Sequence, residues 1–259
     1  MLTPSILASI RATPLLSGSW HYIAAATFSV CNRPDAIPVL YRYAISHDAR
    51  LPSSSPTATQ DEKNAHVTAS YGSEDESMLA DTVGSDPEKV REISRQMREA
   101  LLKGTALAGL PKTINSLIQL RNATPHEFRE DKPLRQAADQ VVEKEELARG
   151  RAFWDQVYGK VSTRVLSQMD TAYPDLAQYA VQHVYAPLLS YTGILSAKQT
   201  SLVVVACLIP LDVNPQLKGH LKGGLNNGAT VEELRSVREL SMRICELCDV
   251  KWKEMPANI

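Results

Sequence analysis

The chain has 259 residues, 44% of them hydrophobic and 22% charged, an ordinary composition for a globular protein. Lys and Arg number 28 against 29 Asp and Glu, so the basic excess with which a general nucleic-acid binder grips phosphate is absent. The longest strongly apolar run, Leu202–Leu211, is too short to span a bilayer, and four cysteines over this length do not make a disulfide scaffold. Composition therefore points to a soluble, helical, intracellular protein with no nucleic-acid and no membrane partner.

Met1–Asn32 carries Arg11, several Ser and Thr and no acidic residue, which resembles a transit peptide. Trp20–Val30 nevertheless reads as a core helix, so cytoplasmic residence is expected, with the mitochondrion as the alternative. The final Ala257-Asn258-Ile259 is not a peroxisomal address of the Ser-Lys-Leu type. Next comes His47–Ser85, rich in Ser, Thr, Asp and Glu, with Pro52 and Pro56 and no sustained apolar period. It reads as an exposed loop of about 40 residues, most simply an insertion into a shorter fold.

From Asp86 onward the pattern is helical. Asp86 can cap a helix with Pro87 at its first position, and Val90, Ile93, Met97 and Leu101 follow at helical spacing. Thr124-Pro125-His126-Glu127 has the form of a capping box. Gln136–Tyr158 reads as a charged helix entering a core at Phe153, Trp154 and Val157. Leu176, Tyr179, Ala180, His183 and Val184 make a further stripe. Leu195-Ser196-Ala197-Lys198 opens an apolar helix that Pro210 stops, and Asn214-Pro215 starts another that Asn227-Gly228 ends through a left-handed cap. Thr230-Val231-Glu232-Glu233 is a second capping box, leading Leu234, Val237, Ser241, Ile244 and Cys248. No alternating strand pattern appears, so the expected fold is all-α.

An internal repeat emerges when Trp20–Val30 with Arg33-Pro34-Asp35 is laid over Ser201–Leu211 with Asn214-Pro215-Gln216. Two related helical halves are expected, 1–123 with the polar insertion at 47–85, and 124–259.

The run Pro215-Gln216-Leu217-Lys218-Gly219-His220-Leu221-Lys222-Gly223-Gly224-Leu225-Asn226-Asn227-Gly228-Ala229-Thr230 resembles the carboxymuconolactone decarboxylase and alkylhydroperoxidase-D (AhpD-like) superfamily, whose decarboxylases place His-Leu, Gly and Asn-Gly-x-Thr at like spacing. Arg149-Gly150 through Tyr158-Gly159, and Tyr185 with Pro187, are similar to the family's earlier elements. Arg98-Glu99-Ala100-Leu101-Leu102 with Gly109-Leu110-Pro111 resembles its closing helix in a fainter first half. The resemblance is to the tandem, fungal type. It implies two AhpD-like helical bundle halves packed as a pseudo-dimer, and further assembly into a homo-oligomer, trimer or dimer. It also implies cofactor-free decarboxylation or proton transfer on a small organic acid or lactone. The alternative is a non-enzymatic helical oligomer that binds or scaffolds.

Departures from the family pattern bear on the chemistry. Peroxidase members use two cysteines and a glutamate ahead of the histidine; here those positions hold Val213, Gln216 and Ser201, and the decarboxylases' Arg-Glu pair falls on Thr200-Ser201. Peroxidase chemistry needs a thiolate and a resolving thiol, so alkylhydroperoxidase activity ranks below the other readings. His220 is the expected catalytic residue, as an imidazolium that donates a proton or as an anchor for a carboxylate, against the alternative of a histidine filling a helix crossing. His183, Tyr185 and Gln216 are the expected substrate contacts. The Cys245-Glu246-Leu247-Cys248 pair has redox spacing, but no helix N-terminus to depress a thiol pKa, so core packing is the expectation. No ligand spacing for a metal appears, and neither metal nor organic cofactor is expected.

Overall fold

Trp20–Val30 (α2) is apolar on every side except for His21, Thr27 and Ser29, and every one of its residues is buried. A helix without a polar face has to be surrounded, and α2 is the axis on which the rest of the fold is built. The structure, a computed structural model, describes residues 2–51, 84–135 and 140–259. Among these the elements are helical, and the only strand-like feature is an isolated bridge between Arg50 and Ser85.

Pro4–Arg11 (α1) is capped by Thr3 and tucks Leu7 and Ile10 inward. Ala36–Asp48 (α3) returns alongside α2, and Trp20 Nε1 donates to Asp48 Oδ2 at 2.8 Å. The helix therefore extends past His47, where the sequence reading began the loop, because Tyr43, Ala44, Ile45 and Ala49 all have a core to enter. Most of the expected insertion, 52–83, lies outside the described residues. Its flanks meet: Leu51 donates its N–H to Gly84 at 2.9 Å and Asp86 donates to Ala49 at 2.7 Å.

Pro87–Ala108 (α4) starts as the sequence predicts, with Asp86 accepting from the Glu88 N–H at 3.0 Å. Gly109, at φ 85°, breaks the chain into Leu110–Ala123 (α5). The expected helix start at Thr124 is only a 3-10 turn, His126–Phe128. The Thr124 hydroxyl donates backward to the Leu120 carbonyl at 2.7 Å, and so it cannot cap a helix ahead of it.

Gln140–Tyr158 (α6), Ser162–Ala172 (α7) and Pro174–Tyr179 (α8) lead into a π-helical segment, Ala180–Leu189. Ala197–Leu208 (α9) opens on a complete capping box between Ser196 and Gln199. Asn214–Asn226 (α10) ends at Asn227 with Gly228 at φ 87°, and Val231–Leu247 (α11) opens on the Thr230–Glu233 box, all as expected.

Helix α9 is buried from Thr200 through its last residue, Leu208. Its cover comes from α2, α4, α10 and α11 of its own chain, so its all-round apolar surface needs no second subunit. The two sequence halves share one hydrophobic core, in which Trp20, Phe28, Val204, Leu208, Leu240 and Ile244 all take part. Among the described residues no helix is long and apolar enough to cross a membrane.

Candidate functional site

Two close helix crossings set up the surroundings of His220. A Cβ on Gly150 of α6 would lie 2.4 Å from the Ala186 Cα, so α6 and the π-helical segment touch backbone to backbone there. One face of α6 beyond that point carries Trp154 and Tyr158, and the segment supplies Tyr185. The second crossing is at Gly223, where a Cβ would meet Val157 Cγ1 at 2.8 Å. Without side chains at these two positions, α10 and the π-helical segment both close on α6, and His220, one turn before Gly223, arrives beside Tyr158.

The result is a short polar line inside aromatic surroundings. Tyr185 Oη donates to Tyr158 Oη at 3.3 Å, and Tyr158 Oη lies 3.5 Å from His220 Nε2. Trp154 packs edge-on to Tyr185 with ring centres 4.6 Å apart, and Phe153 lies at 6.2 Å from Tyr185. Burial pushes the Tyr185 and Tyr158 phenols up from their ordinary value, so both keep their protons. His220 is half-buried, and the protein packed around its ring pushes its pKa down to about 4. Desolvation is the sole cause, with no carboxylate opposing it. The free protein therefore holds a neutral imidazole at pH 7.

The positions matching that glutamate and its neighbour have other uses. Ser201 Oγ accepts from Asn227 Nδ2 at 2.8 Å, and Thr200 Oγ1 donates to the Leu195 carbonyl at 3.4 Å. Both are buried and tie α9 to its surroundings. In the first half, the matching Trp20 is fully buried and bonded to Asp48.

Of the expected substrate contacts, Tyr185 joins His220 through Tyr158. Gln216 is exposed one turn before His220 on α10. His183 is exposed and tilts against Tyr179 at 5.4 Å, with no contact to His220 among those the described residues make. Trp154 and Tyr158 complete the site, and the sequence marked them only as core and as part of a family element. Their signal was present in the paired small residues: Gly150 and Gly223 each sit where a neighbouring helix must pass.

The cysteines lie elsewhere. The Cys31 thiol, just beyond α2, meets the thiols of Cys245 and Cys248 at the end of α11. Contact with Cys245 pushes Cys31 up to about 12, contact with Cys31 raises Cys248, and burial lifts Cys207 to about 12. Protonated thiols at neutral pH are poor nucleophiles, in keeping with a packing role for Cys31, Cys207 and Cys248. Among the described residues no group of His, Cys, Asp and Glu is arranged to hold a metal ion.

The model of the carboxymuconolactone decarboxylase family matches residues 174–247, the stretch that holds Tyr185, α9, α10 and His220. Peroxisomal protein 2 of Saccharomyces cerevisiae is 36% identical, over 93% of this chain and 92% of its own length. Peroxisomal protein 2 of Schizosaccharomyces pombe is 33% identical, over 90% of this chain and 88% of its own length. No solved structure matches the chain. With its helical fold, its histidine motif on α10 and these full-length fungal relatives, the chain belongs to the carboxymuconolactone decarboxylase family.

Proposed function

We propose that this protein moves a proton on a small organic acid or lactone without a cofactor, decarboxylation being the reaction that the family favours, and that His220 carries the proton. The observation behind this reading is the neutral His220 at the end of the Tyr158–Tyr185 pair. A carboxylate seated against the ring offsets the desolvation that depresses its pKa, so substrate binding draws a proton onto His220. When carbon dioxide leaves, the electron pair of the broken C–C bond stays on carbon. The imidazolium then gives its proton to that carbanion and returns to the neutral form. Tyr158, held by Tyr185, steadies the ring, and Gln216 lies one turn away on the exposed side of α10, where it can hold the substrate.

The test is a panel of small lactones and β- or γ-carboxylated acids, followed by carbon dioxide release and by deuterium uptake from heavy water. His220→Gln should lose activity by about a hundredfold or more, in the range of a missing general acid, and Tyr158→Phe by less. Turnover unchanged in His220→Gln would overturn the proposal.

A second reading, a family member that binds or scaffolds without turnover, draws support from Ser201 and Thr200, whose hydroxyls serve the fold instead of a proton relay. Absence of both carbon dioxide release and deuterium uptake across the panel would favour it. Thiol peroxidase activity finds no support, since Val213 and Gln216 stand where the reacting thiols would be.

The names of the two relatives support residence in the peroxisome over the cytoplasmic expectation. A fluorescent fusion that leaves the C-terminus free should colocalise with a peroxisomal marker, and diffuse cytosolic signal would overturn the assignment.

A further inference from the structure

A pocket of about 210 Å3 lies away from His220, and among its described lining residues none belongs to α6, the π-helical segment or α10. One face of α4 provides Arg95, Arg98, Glu99 and Leu102. Leu117 of α5 with Glu130, Leu134, Arg135 and Ile194 close the rest. Its walls are mainly hydrocarbon, with an unusual charge arrangement at one side.

Three arginines there face two carboxylates, one of which is shared with Lys103 buried behind the wall. Arg95 Nε donates to Glu130 Oε1 at 2.7 Å, while Arg98 Nη2 stands 3.6 Å from the same oxygen, beyond a hydrogen bond. Arg135 donates to Glu99, which also faces Lys103 Nζ at 3.5 Å. The Arg135 guanidinium is fixed from the other side by the Tyr191 ring, 4.1 Å away. Two donors remain over: Arg98 Nη2 and Arg135 Nε are buried without a hydrogen-bond partner among the described residues. Buried guanidinium N–H groups without acceptors are costly, and native structures rarely keep them without a purpose.

We propose that this pocket binds a small monocarboxylate with an apolar body. Three guanidiniums line the pocket against two carboxylates, and one further carboxylate supplies the charge that balances the third, with two acceptor oxygens for lining guanidinium N–H groups. The body, an aromatic ring or a short aliphatic chain, rests on Leu102, Leu117, Leu134 and Ile194. A cavity of about 150 Å3 holds benzene, so this one accommodates an acid of about ten non-hydrogen atoms, such as benzoate or octanoate. Inorganic phosphate is a poorer match, because its further oxygens would face hydrocarbon.

Isothermal titration of the full chain with benzoate, octanoate and inorganic phosphate tests the assignment. At least one of the two acids should bind saturably at one site per chain, more tightly than phosphate. Arg98→Gln should weaken it at least tenfold. Leu102→Trp, which fills the cavity and leaves the charges in place, should abolish it in a protein whose circular dichroism and melting stay native. His220→Gln should leave the affinity within twofold. The proposal fails if neither acid saturates, if phosphate binds as well as both, or if Leu102→Trp binds normally. It also fails if His220→Gln removes binding, which would place the acid at the other site; loss of turnover in the same variant bears on the proton-transfer reading alone.

Discussion

His21 is the clearest example of a residue whose chemistry is fixed by what surrounds it. It lies buried in α2 with its Nε2 2.9 Å from Gln96 Oε1. Gln96 Nε2 donates to Glu92 at 3.0 Å, which fixes the amide and leaves its oxygen to accept from His21 Nε2–H. Nδ1 is then a bare, buried acceptor with no partner among the described residues. A proton placed there would be an unsatisfied buried charge, and burial accordingly holds the pKa at about 4. Above the unfolded value of about 6.5 the ring is neutral in both states and stability is indifferent to pH. As pH falls from there to 4, the unfolded chain takes up a proton that the native state refuses, and stability drops by up to about 3 kcal/mol. His220 acts in the same direction, with less weight because it is half-buried. His21→Leu should therefore flatten the fall of the urea midpoint between pH 6.5 and 4.5, while lowering it at every pH because the Gln96 oxygen loses its donor. An acid slope as steep as in the unaltered chain would overturn this account.

At the scale of elements, the helix starts read most sharply from the sequence are those with chemical punctuation at their ends. Asp86-Pro87, Ser196 with Gln199, and Thr230 with Glu233 all form the caps that their residue types allow. Reading failed where a local pattern had a competitor. Thr124 had its own preceding helix to bond to, and the stripe Leu176, Tyr179, His183 assumed a period of 3.6 across a stretch that turns in π-helical steps. Leu176 and Tyr179, in α8 just before it, are exposed, and the buried residues of the π-helical segment are Tyr185, Ala186 and Leu189. Pro187 inside this segment has no N–H to give, which interrupts an α ladder, and wider turns of this kind recur at functional sites. The carbonyls left at its end are gathered by Lys103 of α4, which donates to Leu188, Leu189 and Tyr191 at 3.0, 3.0 and 2.8 Å. Burial brings that ammonium down to about 8 against the pull of Glu99. No sequence pattern could announce the contact, since its partners are backbone atoms some 85 residues away. The site was legible in the same uneven way: His220 from its motif, Tyr185 from the family likeness, but Tyr158 only once Gly150 and Gly223 had brought three elements together.

At the scale of the whole molecule, the shared core decides how the chain unfolds. Helix α2 belongs to the first sequence half, yet its cover comes from both: α3, α4 and α5 on one side, α9 and α11 on the other. Thr27 of α2 meets Ser241 of α11 at 3.2 Å, and Arg243 reaches Ser9 and Thr13 at 2.9 and 3.0 Å. Residues 124–259 alone would leave the α2-facing sides of α9 and α11 in water, at about 25 cal/mol for each Å2 of apolar surface. That loss is large against the 5–15 kcal/mol that holds a typical domain together. The full chain should therefore melt in one transition, with near-ultraviolet signals and the fluorescence of Trp20 and Trp154, each kept as a chain's single interior tryptophan, giving the same midpoint. A fragment of 124–259 should fail to give a cooperative melt. If that fragment folds with native circular dichroism and a sharp transition, or if the Trp20 and Trp154 midpoints separate, the halves are independent units and α2 is an accessory to the second half's core.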